Sequence, residues 1–204
     1  MEVNTKVNLS GLILDNPVIP ASGTFGFGKE YVDFYDINIL GSISIKGTTV
    51  QRRKGNPQPR IAECYSGLIN SVGLENPGME NVIQKELKDL EMIYRKPVIA
   101  NISGFSVEEY VTLAKEMDKV DNVGIIEVNI SCPNVDHGGL AFGTNADNVR
   151  ELTKKIKEVT TKPIYMKLSP NVTDIKEIAR AAQEGGADGI SLINTLMGMR
   201  IDIN

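Results

Sequence analysis

Short β-branched apolar runs, each closing on a polar group, constrain the fold of this chain more than any other feature. They fall at Val18–Ala21, Ser42–Lys46, Val98–Ile102, Ile125–Ile130, Ile164–Leu168 and Ile190–Asn194. Between the later runs the apolar residues change to helical spacing. Ile83, Leu87, Leu90 and Tyr94 step by three and four, as do Val149, Leu152, Ile156 and Val159, and then Ile175, Ile178 and Ala182. Ser106-Val-Glu-Glu109 is a capping-box pattern that starts a helix, and Gly185-Gly186 is a helix stop. Strand and helix therefore alternate, which predicts right-handed βαβ units around a parallel sheet. A short hairpin over Val3–Val18 is expected to precede them, with Asp15-Asn16-Pro17 supplying its turn.

The polar residues decide between a barrel and an open sheet. Ser22, Lys46, Asn101, Asn129, Lys167 and the pair Asn194-Thr195 each lie at the end of a run. In parallel α/β folds those ends converge on one face, and in a barrel that face carries the active site. An open dinucleotide-binding sheet would concentrate its site at one crevice behind a G-x-G-x-x-G turn, which Gly23-Thr-Phe-Gly26-Phe-Gly28 does not match. The expectation is an α/β fold, a (β/α)8 TIM barrel with a short N-terminal β-hairpin, forming one domain over residues 1–204. Such a barrel has eight strands in roughly 250 residues, so this one is expected to be truncated after about six βα units. Its sixth strand would then expose an apolar edge.

Composition narrows the function classes. Hydrophobic residues make up 41% and charged residues 24%, with a net charge of -4. This is a folded chain with no dominant basic face for nucleic acid. No apolar run reaches the roughly 18–20 residues of a membrane span, and MEVNTKVNLSG lacks the apolar core of a signal peptide. Two cysteines are too few for a disulfide framework, so a reducing, cytoplasmic setting is expected.

The stretch Ile125–Asn145, IIEVNISCPNVDHGGLAFGTN, begins as a core strand and turns polar at Asn129. Pro133 stiffens the turn after Cys132, and the glycines that follow suit a mobile lid. A cysteine among Asn and Ser at a strand end reads as a nucleophile or a base, either of which acts as thiolate. Cys64 lacks such neighbours and is expected to be a small buried hydrophobe. His137, the chain's only histidine, lies in the glycine loop and is expected to be solvent-exposed, which disfavours a Cys/His hydrolase. No metal-ligand spacing is present. Lys46 and Lys167 each end an apolar strand, where a lysine is costly unless an anion awaits it. Two of them on one face point to an anionic substrate or an electron-rich cofactor. Arg52-Arg53-Lys54 reads as a solvated face, and Asn70–Pro77 as a polar binding loop.

Five motifs, NISCPN with its glycine loop, SIKGTT, RKGNPQPRI, NSVGLENPG and ISLINT, together resemble dihydroorotate dehydrogenase of class 1. The resemblance runs from about Val7 to Asn204, and CPNVDHGGLAFG is most like the class 1B catalytic subunit. It implies FMN-dependent oxidation of (S)-dihydroorotate to orotate in pyrimidine biosynthesis. Cys132 would take the C5 proton while hydride passes from C6 to FMN. Substrate would be held by Lys46, Asn70, Ser71, Val72, Gly73, Leu74, Asn129, Asn134, Asn194 and Thr195. FMN would contact Ser22, Lys46, Gly47, Asn101, Asn129, Lys167 and Ile193. The resemblance further implies a homodimer and an electron-transfer subunit carrying FAD and an iron–sulfur cluster, which passes electrons to NAD. Competing readings are a fumarate-using class 1A enzyme, a pyrimidine-reducing domain like that of dihydropyrimidine dehydrogenase, and a non-catalytic fragment. In similar proteins the last two βα units bind the FMN phosphate, so these 204 residues alone are expected to bind FMN weakly or not at all.

Overall fold

The computed structural model describes residues 3–131, 133–134 and 140–201. An antiparallel hairpin, β1 (Val7–Leu9) and β2 (Leu12–Leu14), opens the chain. Its turn is Ser10-Gly11, with φ of 48° and 94°. Both residues take the left-handed conformation that a two-residue turn between twisted strands demands. This corrects the expectation that Asp15-Asn16-Pro17 makes the turn. Asn16 instead braces the exit, accepting from the Val18 amide and donating to the Ile39 carbonyl.

After α1 (Ser22–Phe25) comes a second antiparallel hairpin, β3 (Ile61–Cys64) and β4 (Gly67–Asn70). The next helix has a π turn at Val82–Glu86 between α2 (Met79–Asn81) and α3 (Leu87–Ile93). The βα units follow in order: β5 (Val98–Ile102), α4 (Val107–Asp118), β6 (Val123–Asn129), α5 (Ala146–Lys157), β9 (Ile164–Lys167), α6 (Ile175–Glu184) and β10 (Gly189–Ser191). A small antiparallel pair, β7 (Pro133–Asn134) and β8 (Leu140–Ala141), lies between β6 and α5.

The helix ends obey the local chemistry expected of them. Ser106 accepts from the Glu109 amide while the Glu109 carboxylate reaches back to the Phe105 N–H, satisfying two amides at the start of α4. Asn145 and Asp174 cap α5 and α6 by accepting from the Asn148 and Lys176 amides. Gly186 follows α6 with φ of 95°, so the Gly185-Gly186 stop is borne out.

The parallel sheet has the order β10-β9-β6-β5. Ser42–Lys46 extends it beyond β5, with the Ile45 amide bonding the Ile99 carbonyl and the Ile99 amide bonding the Ile43 carbonyl. Val18–Ala21, expected as a strand, joins no ladder among the described residues. Pro20 lacks an amide donor, the Val18 amide and the Ala21 carbonyl are taken up by local turns, and the Val18 carbonyl accepts from Gly41. Side chains alternate across the sheet. Val98, Ala100, Ile102, Ile126, Val128, Ile164 and Met166 face the helices, where Tyr110, Leu113, Met117, Leu152, Ile156 and Ile178 complete a continuous apolar core. Burying one such aliphatic side chain is worth about 1.5–3 kcal/mol, and Leu113→Ala would forfeit about that plus the cavity it leaves.

The other face turns inward. Ile99 lies beside Ile125, Asn101 beside Glu127, Glu127 beside Tyr165, and Asn129 beside Lys167. At the N-terminal end of these strands the first hairpin closes the interior. Leu14 is buried, Ser10 bonds the Tyr165 hydroxyl and the Asp188 carbonyl, and Leu12 packs so closely on Gly124 that a Cβ there would lie 3.0 Å from its Cδ2. β10 pairs only with β9 among the described residues. Leu192, Ile193, Leu196 and Met197 beyond it are exposed, while the residues of β10 itself are half-buried.

Candidate functional site

At the C-terminal strand ends lies a cavity of about 720 Å³. Its wall gathers residues far apart in sequence. Ser22, Lys46, Gly47, Asn101, Asn129, Lys167 and Ile193 line it, as do Asn70, Val72, Gly73, Leu74, Asn194 and Thr195. These are the residues singled out for cofactor and substrate, with two exceptions, Ser71 and Asn134. Ser71 is exposed and off the wall; its backbone amide bonds the Arg60 carbonyl, and its carbonyl accepts from the Asn56 side-chain amide. Cys132 and His137 lie outside the described residues, and for Asn134 only the backbone pairing to Leu140 is described.

Each wall has its own support. The loop after β4 turns through Gly73 and Leu74, with φ of 76° and 57°. Asn76 holds it from beneath. This buried amide accepts from the Thr49 and Gly78 amides and donates to the Leu74 carbonyl and the Thr49 hydroxyl. Arg60 pairs with Glu75 on the outer side of the same loop. Ile61 and Leu68 of the second hairpin also reach the cavity, while Tyr65 at its turn is fully exposed. Cys64 is half-exposed in that hairpin, correcting its expected burial: a two-stranded arm has no second layer to cover it.

Asn129 is oriented by its neighbours. Its Oδ1 accepts from the Ser131 amide at 3.1 Å and from Asn194 Nδ2 at 2.7 Å. Its Nδ2 donors are therefore the part left for a ligand, and they suit a carbonyl oxygen. The Asn129 carbonyl takes the Tyr110 hydroxyl at 2.6 Å. Asn194 is set by its amide bond to the Leu168 carbonyl, and Asn171 donates to the Thr195 carbonyl.

The floor carries charge. Lys167 Nζ is 3.6 Å from Glu127 Oε2. The same oxygen accepts from Asn101 Nδ2 at 2.6 Å and from Ser44 Oγ at 3.1 Å. Burial pushes the Lys46 ammonium below its ordinary pKa, and Glu75 only partly offsets this. Asn101 Oδ1 and Ser103 Oγ are buried without partners. Both face Gly47: a Cβ there would lie 2.8 Å from Asn101 Oδ1 and 3.7 Å from Ser103 Oγ. A buried acceptor left open beside a missing side chain is a place made for a ligand.

Sequence reasoning missed Glu127, Tyr110 and Ser103. For Glu127 a signal was present, a lone carboxylate inside IIEVN. The basic run behaves as expected: Arg52, Arg53 and Lys54 are exposed, although the Arg53 guanidinium stacks 4.7 Å over the Phe105 ring.

Comparison with known proteins places these features in context. Residues 4–204 match the family profile of dihydroorotate dehydrogenase. The chain is 57% identical over 198 residues to the "Dihydroorotate dehydrogenase B (NAD(+)), catalytic subunit" of Bacillus cytotoxicus, and 56% identical to that of Bacillus cereus. In both cases 97% of this chain is covered and 64% of the relative, so the chain spans under two thirds of their length. A crystal structure titled as DHODH from Eimeria tenella in complex with ferulenol superposes with a TM-score of 0.74 at 19% identity. It covers 97% of this chain and 61% of that one. That likeness bears on the fold alone, and the TIM-barrel class expected from the strand ends is borne out.

Proposed function

This chain belongs to the dihydroorotate dehydrogenase family, and we propose that it is the catalytic part of an enzyme oxidising (S)-dihydroorotate to orotate with FMN, in pyrimidine biosynthesis. The observation that carries this reading is the cavity, which Lys46, Lys167, Asn129 and Asn194 line together and where the open acceptor of Asn101 faces Gly47. These groups fit a flavin and a small anionic pyrimidine. Two lysines against the one carboxylate of Glu127 leave an excess of positive charge for an anion. The Asn129 donors match a ring carbonyl, and the Asn101 acceptor matches a donor N–H or O–H.

The roles we assign are those the family resemblance implies. Ser22, Gly47, Asn101, Lys167 and Ile193 hold the flavin, which when bound supplies the acceptor for the substrate's hydride. Lys46 offsets the substrate carboxylate, and its burial from water strengthens that attraction. Asn70, Asn129, Asn134, Asn194, Thr195 and the turn Val72–Leu74 orient the ring. Cys132 takes the C5 proton, a step in which a positioned base is worth about 10²–10⁴-fold. We further read the chain as one domain, working in the cytoplasm as a homodimer. A partner subunit bearing FAD and an iron–sulfur cluster would pass its electrons to NAD. Consistent with that setting, no helix among the described residues is long and apolar enough to cross a membrane.

The test is anaerobic mixing of the flavin-loaded protein with dihydroorotate. Flavin absorbance should bleach in the wild type and slow by at least about 10²-fold in Cys132→Ala. Flavin-loaded wild type that stays oxidised would overturn the reading.

A further inference from the structure

Glu127 is 7% exposed, in a strand whose neighbours Ile126 and Val128 are fully buried. A carboxylate there is costly unless it is paired and hydrogen-bonded. Its Oε2 gathers groups from three other segments of the barrel wall: Ser44, Asn101 on β5 and Lys167 on β9. Glu127 is not itself on the cavity wall; it lies one inward-facing position below Asn129.

Its effect on Asn101 goes beyond an internal ion pair. The amide of Asn101 has two ends, one donor and one acceptor. Because Nδ2 donates to Glu127 at 2.6 Å, Oδ1 must point the other way. The flipped amide would set oxygen against carboxylate, a repulsive contact in a buried place. Oδ1 is therefore left buried and unpartnered, facing the space over Gly47. We propose that Glu127 is a positioning residue of this site: it fixes Asn101 as a hydrogen-bond acceptor and anchors Lys167, so that whatever lies over Gly47 must present an N–H or O–H donor. The inference rests on reading this cavity as the ligand site. The requirement for a donor follows from Glu127, whichever ligand is bound.

Two measurements test it separately. The first uses ligand-free protein and reads hydrogen exchange of the Asn101 side-chain amide by NMR, with its signal assigned from its loss in Asn101→Ser. Glu127→Gln should speed that exchange about tenfold, the equivalent of one charged hydrogen bond. Unchanged exchange in folded Glu127→Gln overturns the proposal, whether or not FMN binds.

The second measurement is an FMN titration of the same proteins, followed by the reduction potential of the bound flavin. Glu127→Gln should weaken FMN binding about tenfold and move the potential to more positive values, because the Lys167 charge is no longer offset. Loss of thermal stability with an unmoved potential would mark Glu127 as merely structural. Should Glu127→Gln fail to fold, Asn101→Ser removes the acceptor while Ser44 and Lys167 still face Glu127. FMN affinity unchanged in that variant counts against the proposal. Weak or absent FMN binding by the wild type is the outcome already expected of these 204 residues alone, and the proposal then stands or falls on Asn101 exchange in the ligand-free protein.

Discussion

Lys167 ends its strand 3.6 Å from a buried carboxylate, whereas Lys46 ends its own with no ion-pair partner among the described residues. Both line one cavity, three strand positions apart across β5 and β6. The surroundings differ in kind as well. Around Lys167 the backbone is continuous parallel ladder, with Asn129 beside it in register. Around Lys46 it is a turn-rich loop hung on the buried side chain of Asn76. The charge on the ladder side is neutralised within the protein and belongs to the framework. The charge on the loop side is left for the ligand to neutralise. One cavity thus holds a permanent cation and a waiting one.

The comparison breaks most visibly if the framework cation is removed. Lys167→Met leaves Glu127 buried without a cation and should cost about 3 kcal/mol of ligand-free stability in urea unfolding. A loss no greater than that of Lys46→Met would erase the distinction. Next, Asn76→Ala deletes the brace of the loop and should cost about 2 kcal/mol. Proteolysis should then cut within residues 70–76 before the strands are attacked. A third test separates binding from stability. Lys46→Met should weaken orotate binding by about tenfold in calorimetry, the scale of one charge-assisted bond, while leaving the ligand-free melting temperature unchanged or raised.

The smallest effect is one of pH. Burial lowers the Lys46 pKa, so between that lowered value and the ordinary 10.5 the unfolded state binds more protons than the folded one. Stability then rises with pH across that window. The difference in melting temperature between Lys46→Met and wild type should shrink as pH approaches 10.5. A constant difference would mean that Lys46 is not desolvated.

Much of this was legible in the sequence because strand ends carry both fold and function in a barrel. Lys46, Asn101, Asn129, Lys167 and Asn194 betrayed themselves as polar residues closing apolar runs, and all of them line the cavity. What escaped were features without a period. The β3–β4 arm alternates weakly and follows the Pro57 and Pro59 stretch, so no strand was expected there. Val18–Ala21 had a strand's composition but too few amide donors to pair. Glu127 was hidden inside a core strand, where its purpose depends on Ser44, Asn101 and Lys167, partners that no local spacing reveals. The hairpin turn was misplaced because Asp-Asn-Pro is a stronger written signal than Ser-Gly, although only the latter has the backbone twist the strands need.

The stopper formed by the first hairpin has a consequence for the order of events on the ribosome. Ser10 finds its partners at Tyr165 and Asp188, separations of 155 and 178 residues. Contacts of that range form only after long segments have been brought together. The first strands to leave the exit tunnel are thus among the last to be seated, and β9 and β10 must be made before the barrel can be corked from below.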